Sequence, residues 1–120
     1  MPVRLLIIDD NTDFRRVARH LLERHGFVVV AEADTGEAGI EQANAYRPDL
    51  VLLDVQLPDV DGFEVAERLS SLDVPIEVVL TSSLDGTDFG ALVAHSPARG
   101  FVPKGELSAA AIEALLAPTR

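Results

Sequence analysis

Four apolar runs in this sequence stop at side chains suited to a cation or a phosphoryl group. Leu5-Leu6-Ile7-Ile8 stops at Asp9-Asp10, and Leu50-Val51-Leu52-Leu53 stops at Asp54. Val78-Val79-Leu80 stops at Thr81-Ser82-Ser83, and Phe101-Val102-Pro103 stops at Lys104. If the runs are parallel strands, their ends share one sheet edge and gather three carboxylates, a hydroxyl and an ammonium. Converging carboxylates repel unless a cation neutralises them. An all-oxygen donor set, without histidine or cysteine, selects a hard ion, and a partly hydrated Mg²⁺ suits it. An ammonium beside the ion is a compact charge for an oxyanion. Asp54 combines a central strand end with a loop whose backbone N–H groups can cradle phosphate, and a carboxylate that accepts a phosphoryl group becomes an acyl phosphate.

Each residue alone has a plainer explanation. Adjacent acids after a strand serve as solvated loop residues or as a helix cap. Serine and threonine are common in turns. Lys104 alone is an ordinary surface charge, although nine arginines to one lysine show that this chain otherwise carries its positive charge on arginine. The combination is what points to chemistry.

The elements that must position these residues alternate. Val3 to Ile8 is almost continuously apolar, the pattern of a strand covered on both faces. Phe14, Val17, Ala18, Leu21 and Leu22 then recur at helical spacing, up to Gly26. Phe27 to Ala31 reads as a second strand, and Gly36 to Ala45 as a weaker helix closed by Arg47-Pro48. Leu50 to Leu53 is a third strand, with Leu57-Pro58 and Asp61-Gly62 punctuating the loop after it. Phe63, Val65, Ala66 and Leu69 mark a helix, and Ile76 to Leu80 a fourth strand. Asp85 to His95 reads as helical despite Gly86 and Gly90. Gly100 to Pro103 is a fifth strand. Ser108 caps a last helix bearing Ala111, Ile112, Leu115 and Leu116, with Pro118 ending it. Five strands alternating with five helices predict an α/β, doubly wound parallel sheet, with ligands beyond the carboxyl ends of the strands.

At 120 residues the chain is expected to form one domain, residues 1–120, with its own core. No apolar stretch reaches the roughly 18 residues of a membrane span. The absence of cysteine excludes disulfides, thiolate metal sites and cysteine nucleophiles, and is compatible with a cytoplasmic protein. A net charge of −10 argues against direct nucleic-acid binding.

The chain resembles the receiver domain of bacterial two-component response regulators, the CheY-like family. The motifs that carry the resemblance run in order along the whole chain: Ile7-Ile8-Asp9-Asp10-Asn11, Pro48 to Asp54, Leu57-Pro58 with Asp61-Gly62-Phe63, Leu80-Thr81-Ser82, and Gly100 to Lys104. The resemblance implies a flavodoxin-like (βα)5 fold with strand order 2-1-3-4-5. It implies Asp54 as phosphoacceptor and a Mg²⁺ held by Asp10, Asp54 and the main-chain carbonyl of Gln56, with Asp9 acting through water. Lys104 would contact the phosphoryl oxygens, and the amides of Gln56 and Ser83 would complete the cradle. Ser82, 22 residues before Lys104, would be the conserved hydroxyl, with Thr81 as the fallback. Phe101 falls at the aromatic switch position, where its plainer reading is core packing. Phosphate would draw Ser82 inward and let Phe101 turn in, reshaping the face of the fourth helix, fifth strand and fifth helix. Gln56 and Leu84 would flank the attacking water and set the phosphate lifetime.

The same resemblance implies a sensor histidine kinase as partner, and either an unknown output protein or an effector domain absent from this chain. It leaves room for a phosphorylation-linked dimer. No reaction on an external substrate is expected, only the chain's own phosphorylation and dephosphorylation. Departures from the family pattern are Gly105 after Lys104, Ser96-Pro97-Ala98 before the last strand, and the polar Thr81-Ser82-Ser83. A phosphatase of the haloacid dehalogenase type would want a second acid two residues after Asp54, where Gln56 stands. A degenerate receiver that binds partners without phosphate is the other alternative, but it usually lacks a site residue and none is missing. No helix-turn-helix follows Arg120, so DNA binding by that motif is not expected.

Overall fold

The computed structural model describes residues 2–83 and 89–117. In chain order the elements are β1 (Arg4–Ile8), α1 (Thr12–Glu23), β2 (Val28–Ala33), α2 (Gly36–Tyr46), β3 (Leu50–Asp54), α3 (Gly62–Ser70), β4 (Glu77–Ser82), α4 (Gly90–His95), β5 (Gly100–Pro103) and α5 (Ala109–Leu116). The strands pair in parallel in the order β2-β1-β3-β4-β5, as expected.

Leu5, Ile7, Leu50, Leu52 and Val79 face one way, against Ala18 and Leu22 of α1 and Ala109 and Ile112 of α5. Leu6, Ile8, Val51, Leu53 and Leu80 face the other way, against Ala43 of α2 and Val65, Ala66 and Leu69 of α3. Coverage on both faces explains why residues 5–8 of β1 and 50–53 of β3 read as unbroken apolar runs rather than alternating ones. Each fully buried Leu or Ile contributes about 1.5–3 kcal/mol. The two central strands, where such residues are densest, are therefore the firmest parts of the molecule, and their ends carry Asp9 and Asp54.

Side chains and backbone fix the helix ends. Asn11, Thr35, Asp61 and Ser108 each accept a hydrogen bond from a first-turn N–H of α1, α2, α3 and α5. After α1 the chain turns at Gly26 with φ +93°, a left-handed conformation that favours glycine. The guanidinium of Arg4 donates to the Arg47 and Tyr46 carbonyls at the end of α2, both at 2.7 Å. Arg99 does the same for α5 through the carbonyls of Leu115 and Ala117. Such contacts suit the negative end of a helix dipole.

Several expected boundaries move. Phe27 is not in the second strand: its N–H still bonds the Leu22 carbonyl in the cap of α1, and β2 runs on to Ala33. β4 extends past its apolar run through Thr81 and Ser82, both fully buried, so these residues are strand rather than turn. Of the helix expected over 85–95, Gly90–His95 is observed, while Gly86 and the rest of 84–88 lie outside the described residues, as does Pro118. Ser96 donates to the Val93 carbonyl and accepts from the Ala98 N–H, which ties the Ser96-Pro97-Ala98 step to the end of α4.

Candidate functional site

The ends of β1, β3 and β5 bring Asp9, Asp10, Asp54 and Lys104 together. One carboxylate oxygen from each of the three aspartates lies within 4.8 Å of the others. Asp9 is fully buried, Asp54 is 4% exposed, and Asp10 is open to solvent. Lys104 Nζ stands 2.9 Å from Asp9 Oδ2 and 3.5 Å from Asp54 Oδ2. The same ammonium sits 4.5 Å from the centre of the Phe14 ring, a cation–π contact that holds it over the mouth of the cluster.

Backbone geometry sets each acid. Asp9 Oδ1 accepts from the Asn11 N–H at 2.9 Å, and Asp54 Oδ1 accepts from the Gln56 N–H at 3.0 Å. The Asp9 N–H is held by the Ala33 carbonyl of β2, and the Asp9 carbonyl takes a 2.5 Å hydrogen bond from Arg15 Nη1. Arg15 also pairs with Glu32 at 3.1 Å, so α1 and β2 together grip the turn that carries the acid pair. On the other side the loop after β3 folds back, with the Gly62 N–H on the Val55 carbonyl. An added Cβ at Gly62 would lie 2.3 Å from the Asp54 carbonyl oxygen, so only glycine allows this approach.

Burial pushes the Asp54 carboxyl up to about 6; the Gln56 amide and Lys104 oppose that shift, while Asp9 and Asp10 reinforce it. Asp9 Oδ2 is buried and, among the described residues, meets the nearby ammonium but no directed hydrogen bond. A buried oxygen among converging carboxylates, met by a single ammonium, fits a hard cation, because oxygen donors and a spare lone pair are what such an ion requires.

A family model, the response regulator receiver domain, matches residues 5–116. The chain belongs to that family. Among relatives of this receiver domain, BvgA of Bordetella pertussis is 40% identical over 103 residues, covering 86% of this chain and 49% of BvgA. The chemotaxis protein CheY of Bacillus subtilis is 29% identical over 104 residues and is covered over 87% of each chain. The signal receiver domain of NarL from Mycobacterium tuberculosis superposes with a TM-score of 0.84 at 32% identity, over 98% of both chains. The chain spans about half the length of BvgA and of the other transcriptional regulators it matches.

The remaining expected residues fall around the cluster. Gln56 is exposed, forms a bridge with Asp61, and directs its amide at Asp54. Thr81 pairs in register with Asp54, but its hydroxyl donates to the Val102 carbonyl at 2.6 Å, which engages it within the sheet. Ser82 is the next residue outward, buried, and opposite Pro103, the neighbour of Lys104. Ser83 is exposed at the same strand end. Phe101 packs in the core layer of Leu80 and Leu53 and is half-buried. Leu84 lies outside the described residues. After Lys104 the chain makes a 3₁₀ turn over Lys104–Glu106, and Gly105 faces open space, so nothing crowds a side chain there.

Two contributors escaped the sequence reading. Phe14 was legible only as an apolar position of α1, since periodicity gives a face of one helix and not the partner across the sheet. Asp59 accepts from the Gly36 and Glu37 N–H groups, so the loop after β3 also caps α2 from 22 and 23 residues away. Sequence alone does not reveal that cap, because Asp59 lies in a different loop and reaches α2 only through the fold.

Proposed function

We propose that Asp54 takes a phosphoryl group from the phosphohistidine of a sensor kinase. The observation that carries this reading is the convergence of Asp9, Asp10 and Asp54 with Lys104 Nζ 3.5 Å from Asp54 Oδ2. A carboxylate oxygen of Asp54 attacks phosphorus, the P–N bond of the phosphohistidine breaks, and the leaving imidazole nitrogen takes up a proton. The product is an acyl phosphate on Asp54. Asp10, Asp54 and the main-chain carbonyl of Gln56 would hold Mg²⁺, with Asp9 in its outer sphere; when bound, the ion supplies charge for the transferring oxygens.

Lys104 then leaves its position between the acids to meet the phosphoryl oxygens. The Gln56 amide, now on Asp54 Oδ1, and the Ser83 amide complete the cradle. Ser82 supplies the hydroxyl, rather than Thr81, whose proton goes to Val102. Movement of Ser82 shifts Phe101 and the α4–β5–α5 face between two pre-existing arrangements. The chain acts on its own phosphate only and not on an external substrate. In a two-component pathway it works in the cytoplasm, relaying the kinase's signal to an output protein or effector domain.

Incubation with Mg²⁺ and acetyl phosphate tests the reading. The expected product is an acid-stable adduct, labile to base and hydroxylamine, present on the wild type and absent from Asp54→Asn. Unchanged labelling of the variant would reject Asp54 as acceptor.

A further inference from the structure

An acidic, apolar groove of about 340 Å³ runs between α3 and α4. Phe63, Glu64 and Glu67 form one wall, and Leu92, His95 and Ser96 form the other. Leu92 is 55% exposed and Glu64 and Glu67 are both exposed. An exposed apolar side chain rimmed by like charges is the composition of an interaction site. Glu64 and Glu67 stand one helical turn apart on the same face of α3, the spacing that meets two cationic residues one turn apart on a facing helix. Leu92 and Phe63 between them accept an apolar residue from that helix.

A chain of aromatic rings runs from this groove to the last strand. Phe63, which lines it, lies 6.0 Å from Phe89 between ring centres, and Phe89 lies 6.0 Å from Phe101. Phe101 precedes Lys104 by three residues on the same run of chain, and Lys104 touches Asp9 and Asp54. Three tilted rings therefore link the groove wall to the strand that carries the ammonium. Movement of the chain at Lys104 is passed to Phe101 three residues before it, and packed rings do not shift independently.

We propose that the α3–α4 groove docks a cationic amphipathic helix of a partner protein, and that loading of Asp54 changes its affinity through Phe101, Phe89 and Phe63. The docking half stands on the groove alone. The coupling half rests on the phosphoacceptor reading of Asp54. An acidic partner is opposed by Glu64 and Glu67. A second copy of this chain could reach the groove with the Arg16, Val17 and Arg24 face of α1, where Val17 is 60% exposed. That would join copies head to tail, giving rings or open filaments rather than a symmetric pair.

The test is an amide-shift titration of the full chain with a synthetic helical peptide of leucine and lysine, run with and without Mg²⁺ and beryllofluoride. A leucine–glutamate peptide of the same pattern is the control. Shifts are expected at residues 63–67 and 92–96 with the lysine peptide alone. The double variant Glu64→Gln/Glu67→Gln and, separately, Leu92→Ala should each weaken binding about ten-fold, a moderate effect below that of the strongest interface anchors. Beryllofluoride should change the affinity about five-fold or more, the scale of an allosteric coupling, and Phe89→Leu should abolish that change while leaving the beryllofluoride shifts around Asp54 in place. Shifts that map elsewhere, equal binding of the glutamate peptide, or indifference to the groove variants would overturn the docking. Concentration-dependent shifts at the same residues without peptide would assign the groove to a second copy and end the partner claim. Affinity unchanged by beryllofluoride, in a sample whose Asp54 region responds to it, would overturn the coupling alone. A sample with no response at Asp54 would instead reject the phosphoacceptor reading, with docking still scored on the unloaded chain.

Discussion

The Lys104 ammonium lies 2.9 Å from the buried Oδ2 of Asp9, an oxygen that no directed hydrogen bond from the described residues reaches. Lysine therefore compensates the deepest acid first and Asp54 second, at 3.5 Å. Lys104→Met leaves three converging carboxylates without their cation. Stability in EDTA is expected to fall by about 1–3 kcal/mol, the scale for an orphaned buried polar group. Mg²⁺ should restore more stability to the variant than to the wild type, because the ion no longer competes with an ammonium and stabilises by mass action. Urea unfolding with and without Mg²⁺ decides it, and equal stability of the two proteins in EDTA would contradict the argument.

The Asp54 carboxyl titrates near 6 when folded, against the ordinary value of 3.8, chiefly because burial disfavours its charge. Between about 4 and 6 the folded chain thus holds a proton that the unfolded chain has lost. Stability of the metal-free protein should fall as pH rises through that window and stay level above it. Each pH interval of one between the unfolded and folded titrations corresponds to about 1.4 kcal/mol, and the solvent-open mouth of the site reduces the total to about 1–3 kcal/mol. Asp54→Asn should remove this slope and be the more stable protein at pH 8. Urea unfolding of both chains in EDTA across pH 4.5–8 measures the difference, which must grow up to about pH 6 and level off above it.

The strands were legible because burial on both faces leaves an unbroken apolar run, as at Leu50 to Leu53. Where polar residues are satisfied inside the sheet, the run understates the strand. Thr81 continues β4 because its hydroxyl bonds the Val102 carbonyl, a partner 21 residues away that hydropathy cannot reveal. The acids and the lysine were legible as a cluster because strand ends in a parallel sheet share one edge. Their pairing was not. Nothing in the spacing of Asp9, Asp54 and Lys104 says that the ammonium prefers Asp9, that Phe14 lies beneath it, or that Arg15 reaches back to the turn.

Gly62 was readable as punctuation, yet its role is steric. A methyl group there would press on the Asp54 carbonyl oxygen at 2.3 Å and on Val55 Cα at 2.6 Å, both backbone atoms with little room to yield. Gly62→Ala should cost about 1–3 kcal/mol, as overpacking does. Because the clash falls on Asp54 itself, the acyl-phosphate yield at fixed acetyl phosphate should drop as well. An alanine variant with wild-type unfolding and wild-type yield would show that the loop adjusts freely.

Arg15 offers a prediction in which charge and geometry give opposite signs. Its guanidinium donates to the Asp9 carbonyl, pairs with Glu32 at 3.1 Å and is largely buried, while Glu32 is also held by Arg19 at 2.6 Å. If Arg15 acted only as a positive charge near the acids, Arg15→Gln would tighten Mg²⁺ binding and Glu32→Gln would weaken it. The clamp on the Asp9 carbonyl argues for positioning instead, since it fixes the turn from which Asp9 and Asp10 project. Loss of such supporting contacts commonly costs about ten-fold or more in metal affinity. Arg15→Gln should therefore weaken Mg²⁺ binding by about ten-fold, read from the Mg²⁺-dependent amide shifts of residues 9–11. Arg15→Lys should also weaken it, because an ammonium cannot hold the carbonyl and Glu32 in one planar fork. Tighter binding in Arg15→Gln would assign the effect to charge and remove the positioning role.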